Sequence, residues 1–337
     1  MSFIVRSVRR NDLASLLSLA KQFTLLSLPA EEIVIKDKIE LSISSFKGDV
    51  AKEDAMFLFV GEDIETGGVV ACSQIKAKKG TKDKPCYSFK VLKREHFSPD
   101  LSIGFIHQIL RLRIDTNGPS EIGGLIVDKA YRRRPEKIGK LISLARFMYI
   151  RHFPDFFESK LLAEMAPPLL PDGRSDFWES LGRRFTGIPY KEADALTEKN
   201  KEFIRSLFPQ EDIYVCLLDA KARLALAQVG KETVPALKML KGLGFSYHDE
   251  VDPFDGGPHY SVGKNDNKIA KEVQSLYVSN DGVSESCGMG LVSVIDGDEF
   301  KCCLSNFEIK SNKVNLPNAT KQMLSIKESE QVNIYQL

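Results

Sequence analysis

Excess charge, tryptophan, paired cysteines and long apolar runs are all scarce in this chain, and each scarcity closes off a class of function. The 47 Lys and Arg nearly cancel the 46 Asp and Glu, leaving a formal net charge of +1. No global field then draws the chain to nucleic acid or to an acidic membrane, so any electrostatic function is local. No apolar run approaches the roughly 20 residues needed to cross a bilayer. The N-terminus, Met1-Ser-Phe-Ile-Val-Arg-Ser-Val-Arg-Arg10, has only a short apolar stretch and reads as a first strand, not a signal peptide. Six cysteines (Cys72, Cys86, Cys216, Cys287, Cys302 and Cys303) lack Cys-x-x-Cys spacing and histidine partners. The expectation is a cytoplasmic protein with reduced thiols and neither structural metal nor disulfide framework. The single tryptophan, Trp178, shares helical spacing with Leu181 and Phe185, which suits a core position. No internal repeat or low-complexity tract is evident.

What is present is an ordinary globular composition, 43% hydrophobic and 28% charged over 337 residues, enough for one large or two moderate domains. Residues 3–8 read as a strand, and Asn11 as the cap of a helix from Asp12 to Gln22. Residues 33–46 read as a second helix, and 56–61 with 69–76 as a hairpin around a Gly67-Gly68 turn. Strands follow at 86–92, 123–127 and 161–165; 105–112 is apolar but ambiguous. Helices are expected at 138–152, 175–184, 198–207, 221–226 and 233–243, the last ending at Gly244. Residues 213–217 look strand-like, and 264–286 read as a polar connector. Strands at 289–294, 299–304 and 331–335 suggest a small β-rich C-terminal lobe.

The most informative segment is Ser120-Glu-Ile-Gly-Gly-Leu-Ile-Val127 followed by Asp128-Lys-Ala-Tyr-Arg-Arg-Arg-Pro-Glu-Lys-Ile-Gly-Lys140. An apolar strand, a cationic turn and an amphipathic helix place backbone N–H groups, a helix N-terminus and positive side chains together. Such a spot attracts a pyrophosphate. An ordinary strand-turn-helix unit with a solvated basic turn is the alternative. The order resembles the acyl-CoA site of the GCN5-related N-acyltransferase fold.

Longer stretches resemble one family across essentially the whole chain. Glu62-Asp-Ile-Glu-Thr-Gly67, Ser175-Asp-Phe-Trp-Glu-Ser-Leu-Gly-Arg-Arg-Phe185 and Phe254-Asp-Gly-Gly-Pro258 look like landmarks of the bacterial arginine N-succinyltransferases. Leu25-Leu-Ser-Leu-Pro-Ala30, Lys201-Glu-Phe-Ile-Arg-Ser-Leu-Phe-Pro209 and Ile213-Tyr-Val215 fit the same pattern. The resemblance implies an α/β (α+β) fold: a GCN5-related N-acyltransferase-like mixed sheet flanked by helices, with an additional C-terminal β-rich portion. The expected division is 1–195 for the acyltransferase core, 196–263 for a second α/β portion contributing to the acceptor site, and 264–337 for the β-rich lobe. The implied reaction is succinyl transfer from succinyl-CoA to the α-amino group of L-arginine, in arginine catabolism. Implied partners are small molecules and another copy or subunit, with no nucleic acid, membrane or metal.

Thioester aminolysis must hold the CoA, polarise the carbonyl, deliver a neutral amine and protonate the thiolate. In the fold that the chain resembles, the pantetheine arm pairs with a strand edge, here at Leu125 and Val127. The pyrophosphate is expected against Arg133, Arg134, Lys137, Ile138, Gly139 and Lys140. This loop departs from the fold's pattern of Arg or Gln, two residues, Gly, one residue, then Gly or Ala: Lys137 stands at the first glycine and Pro135 lies within it. A sharper departure concerns the family's proton-donating histidine, whose place in Ala227-Gln-Val-Gly-Lys231 is taken by Gly230. Replacement candidates for acid–base work are His248 and Glu164, with His259 ranked lower and Tyr131 and Tyr190 further possibilities. His152, near a helix C-terminus, is expected to carry charge favourably. Asp252 and Asp255 are candidates for the arginine guanidinium, though Asp and Gly also simply favour turns. Two alternatives remain beside the transferase: a non-catalytic subunit or sensor of the same fold, and an N-acyltransferase with another acyl donor or amine.

Overall fold

The computed structural model describes residues 3–23, 28–197, 202–279, 287–327 and 329–337. Expectations for residues 25–27, 198–201 and 280–286 lie outside these. The chain forms two compact units, one of Met1–Ala77, Ile122–Ser159 and Gly263–Leu337, the other of Lys78–Glu121 and Lys160–Val262. Where the sequence suggested three consecutive portions, contacts thus group residues from separated stretches. The first strand, Phe3–Ser7, shows why: Val5 lies opposite Gly61 on one side and Cys302 on the other. Both units mix strands and helices, in keeping with the expected α/β class.

In the first unit, Phe3–Ser7, Met56–Asp63, Gly68–Lys76 and Ser120–Val127 are neighbours in that order. The expected hairpin is present, with Met56 opposite Lys76. Helices Leu13–Lys21 and Glu32–Lys47 cover it, burying Leu16, Leu19, Ile35 and Ile39 with Leu58, Val60 and Ile126. Asn11 does not cap the first helix. A 3-10 turn at Arg10–Asp12 precedes it, and Asp12 Oδ2 accepts from the Arg9 N–H at 2.7 Å and from Arg6 Nη1 at 2.8 Å. Helix Ile138–His152 is buried continuously from Leu141 to Ile150, the signature of a helix with packing all round.

The C-terminal part is β-rich, and it closes on itself. Strand Gly288–Asp296 pairs with Gln331–Gln336, which pairs with Gln274–Val278, then Lys313–Asn315, then Glu299–Lys310, which returns to Gly288–Asp296. Val278, Val292, Phe307, Val314 and Ile334 fill the interior. The expected connector at 264–286 is instead, where described, helix Lys268–Glu272 and strand Gln274–Val278. Asn267 caps that helix through the Ala270 N–H.

In the second unit, Lys160–Glu164, Pro258–Gly263, Ser246–Val251, Cys86–Ser98, Ile103–Asp115 and Ile213–Tyr214 are successive neighbours. The ambiguous segment around Phe105 is a strand because residues 103–115 pair along their whole length with 86–98, from Cys86 opposite Asp115 to Ser98 opposite Ile103. Short helices bury Trp178, Phe177, Ile204 and Phe208 against Phe89 and Phe254. Trp178 stacks on Phe254 with centroids 5.1 Å apart and donates to the Ile188 carbonyl, a core role as expected. The expected helix at 175–184 breaks into Asp176–Ser180 and Gly182–Thr186. A Cβ on Gly182 would lie 2.2 Å from the Trp178 ring, so the break seats the indole. No helix among the described residues is long and apolar enough to cross a membrane.

Candidate functional site

Two places in the molecule gather residues that bear on the sequence expectations, one in each unit. In the first, strand Ser120–Val127 contains Gly124 at φ +58, where a Cβ would meet the Gln74 side chain at 2.9 Å. A positive φ inside a strand disturbs the pleat and re-aims the groups beside it. Leu125 and Val127 are half-buried while Ile122 and Ile126 are core. The turn beyond is fixed by Tyr131, whose hydroxyl donates to Asp63 Oδ2 at 2.9 Å. That hydrogen bond, with burial and the charge of Asp63, raises the Tyr131 pKa, so the phenol is a poor proton donor to a thiolate.

The cations of the turn divide in two. Arg134 donates to the Ala130 carbonyl and lies over the Tyr131 ring at 4.1 Å, while Arg132 donates to the Val127 carbonyl and lies over Phe23 at 4.4 Å. Both are partly committed to the turn itself. Arg133, Lys137 and Lys140 are exposed. Arg133 and Lys137 hold positive φ values of 61 and 52, so the two conformations that glycine would adopt freely are forced on long side chains. Lys137 precedes helix Ile138–His152 without a side-chain cap, and its carbonyl accepts from Lys140 and Leu141. The N–H groups of Ile138 and Gly139 have no carbonyl one turn back to receive them and point out of the helix end. Gly139 is half-buried against Val127.

The second place is a buried group of charges in the other unit. Only glycine fits at position 118, where a Cβ would lie 1.8 Å from the Lys79 carbonyl. Gly118 donates to the Gly80 carbonyl and Lys79 to the Pro119 carbonyl, and this double tie brings Lys79 beside Glu121. Glu121 lies opposite Leu162 in a parallel pair, two residues from Glu164. Lys79 Nζ is 2.5 Å from Glu164 Oε1 and 3.3 Å from Glu121 Oε2. Burial alone would lower the Lys79 pKa, but Glu121 and Glu164 outweigh it and hold the ammonium well above the ordinary lysine value.

His259 completes the group. It lies where the register between Pro258–Gly263 and Ser246–Val251 shifts, with Asp249 at φ +55. Its side chain is 3% exposed and its Nε2 lies 3.3 Å from Glu164 Oε1. That Nε2 makes no hydrogen bond to any described residue. Asp252 also belongs here: Glu164, Asp252 and His259 each bring a ligand atom within 4.8 Å of the other two. Such a donor set suits a divalent metal in type. Lys79 places one ammonium on Glu164, so part of the group's negative charge is met within it.

The other sequence candidates are spread out. His248 is exposed on strand Ser246–Val251, beside Ser246 Oγ at 2.9 Å, rather than in a loop. Asp252 Oδ1 receives the N–H groups of Phe254 and Asp255, and Asp255 Oδ1 that of Gly257, so both carboxylates build the turn. His152 is not a charged helix end. Burial, with the charge of Arg151 added, lowers its pKa to about 4, and Ser293 Oγ lies 3.0 Å from its Nε2. Arg174, Arg183 and Arg184 pair with Asp172, Glu179 and Asp219. Tyr190 is core.

Gly230 lies close to the buried group. Its N–H donates to the Ala166 carbonyl, two residues past Glu164, and a Cβ there would sit 2.8 Å from the Pro167 carbonyl oxygen. No side chain fits without moving backbone, so Gly230→His is a disruptive change and not a simple restoration. The residues missed by sequence reasoning are Lys79, Glu121 and the rank of His259. Their only local trace is the glycines that let Lys79 approach 118–119.

The family description "Arginine N-succinyltransferase beta subunit" matches residues 3–269. An arginine N-succinyltransferase of Photorhabdus laumondii is 33% identical over 339 residues, covering 99% of this chain and 98% of that protein. An arginine N-succinyltransferase subunit beta of Pseudomonas aeruginosa is 38% identical over 279 residues, or 82% of this chain and 81% of its own length. Among solved structures, the arginine/ornithine succinyltransferase subunit AI from Pseudomonas aeruginosa superposes with a TM-score of 0.85 at 26% identity, covering 99% of this chain and 98% of that one.

Proposed function

Because the chain belongs to the arginine N-succinyltransferase family, we propose that it transfers the succinyl group of succinyl-CoA to the α-amino group of L-arginine. The observation that carries this reading is a family match that runs through both compact units. Succinyl-CoA as the donor rests on the family's name. The strand edge at Leu125 and Val127 would receive the pantetheine arm through its backbone. The N–H groups of Ile138 and Gly139 would receive the pyrophosphate, with Arg133, Lys137 and Lys140 neutralising it and Arg134 bracing the turn. Asp252, with Glu164 beside it, would meet a cationic group of the amine; Asp255 would serve by holding the turn. His248, exposed on its strand, would lie at the edge of such a site. The relatives named as subunits support association with a second chain.

Incubating the pure protein with succinyl-CoA and arginine, and following free thiol together with succinylarginine, tests the reaction. Release of thiol that requires arginine is the expected result; none above buffer would defeat it. A second reading, a non-catalytic subunit or sensor of the same fold, draws on Gly230, which has no group to donate a proton. It calls for thermal stabilisation by acyl-CoA or arginine without turnover. Thiol release with acetyl-CoA or another amine in preference would instead mark a different N-acyltransferase.

A further inference from the structure

We infer that His259 is the general base of this chain: Nε2, backed by Glu164 and Asp252, takes a proton from the ammonium of the amine acceptor. The inference rests on the transferase reading for the identity of the amine. Its geometry stands independently.

Three observations point the same way. An imidazole side chain that is 97% buried, with an Nε2 that makes no hydrogen bond to any described residue, is costly to keep unless something visits it. The visitor is cationic, because Glu164 Oε1 lies 3.3 Å from Nε2 and Asp252 brings a carboxylate oxygen within 4.8 Å of a ring nitrogen. The cluster also has a built hierarchy: Lys79 holds Glu164 at 2.5 Å and Glu121 at 3.3 Å, so Glu164 is fixed in place as the ring's neighbour. Lys79 and Glu121 are therefore positioning residues. The Pro167 carbonyl leaves no room for a side chain at Gly230, so no acid or base stands at that position.

The step balances simply. Loss of one proton from the ammonium to Nε2 leaves a nitrogen lone pair, which forms the C–N bond to the thioester carbonyl. The C–S bond breaks and sulfur departs with its electron pair. The surplus proton on the new amide nitrogen neutralises that thiolate, and the proton on His259 passes to solvent. Carboxylates facing the ring serve twice, attracting the ammonium and then stabilising the imidazolium.

The charged groups beside the ring are Glu164 from Lys160–Glu164, Asp252 after Ser246–Val251, and through Glu164 also Lys79 and Glu121. The test is the variant His259→Gln, with kcat/KM for succinyl-CoA and arginine measured across pH and folding checked by Trp178 fluorescence. The expected result is a loss of about 100-fold or more, together with disappearance of the acid limb that protonation of a base imposes. Activity within about threefold of the parent, with an unchanged pH profile, overturns the inference. A second arm needs no variant and no turnover: arginine titrated into the parent protein, with the His259 ring followed by NMR. Movement of its ring signals supports contact with the acceptor even if succinyl-CoA proves the wrong donor, whereas signals that stay fixed at saturating arginine overturn it whatever the turnover.

Discussion

The basic turn of the first unit and the charge group of the second use ionised side chains in opposite ways. At 132–140 the cations stand in water, and the turn is held by one tyrosine, two cation–π contacts and its own carbonyls. Around Glu164 the charges are largely withdrawn from water, and each lies against the others. Removing an exposed cation from the turn changes local potential and little else, because water replaces it. Removing a member of the buried group strands its neighbours in low dielectric. The contrast separates a ligand-attracting surface from a preorganised polar interior, and it orders the consequences of mutation.

The largest effect belongs to Lys79→Met. Its side chain is 11% exposed between Glu121 and Glu164, and its loss removes the ammonium that both carboxylates approach. Breaking a buried pair from one side costs about 3–5 kcal/mol. Urea unfolding of the second unit, followed through the single tryptophan in its core, measures it. An unchanged midpoint would mean that water reaches the group and that the contrast with the turn is false. A matching change at Lys137 should leave the transition where it is, within about 0.5 kcal/mol.

That contrast also explains what could be read from the sequence. The strand, turn and helix from Ser120 to His152 are contiguous, so periodicity and charge pattern exposed them together. The hairpin at Met56–Lys76 and the strands of the C-terminal lobe were legible for the same reason. Lys79, Glu121, Glu164 and the turn-flanking pair Asp252 and His259 come from four separate segments, and they meet through the Lys79–Pro119 tie, a parallel strand pair and a register shift. Nothing in the residues near His259 distinguishes it from His248, since both follow turn-forming stretches. Tertiary packing buries one and exposes the other. The closed ring of C-terminal strands was likewise invisible, because pairing of Gly288–Asp296 with two partners is a long-range choice.

His152 sharpens the comparison as a partly buried imidazole set beside Arg151 and Ser293. Burial first, then Arg151, lowers it from an ordinary 6.5 to about 4. A histidine depressed in the folded state stabilises fully above the unfolded value, and that stability is lost as pH falls towards the folded one. Between pH 6.5 and about 4 the first unit should therefore lose about 3 kcal/mol. Protection factors for amides of helix Ile138–His152 measure the loss, and His152→Phe should flatten it. An equal fall in the variant would assign acid sensitivity to other groups.

The smallest effect is the most discriminating for the turn. Gly139 sits at the second position of helix Ile138–His152 with ordinary helical φ, and an added Cβ would rest 3.4 Å from Val127 Cγ2, a contact the fold tolerates. Gly139→Ala should therefore stabilise the helix by about 0.4–1 kcal/mol through the unfolded chain. The same methyl lies where backbone N–H groups meet the strand proposed to carry the pantetheine arm. It should weaken acyl-CoA binding about three- to tenfold, the worth of one hydrogen bond made longer. Calorimetric titration with CoA reads the affinity, and thermal unfolding reads the stability. A more stable protein with weaker binding places the pyrophosphate on this helix end; equal affinity in variant and parent would return Arg133, Lys137 and Lys140 to the role of solvated surface charge.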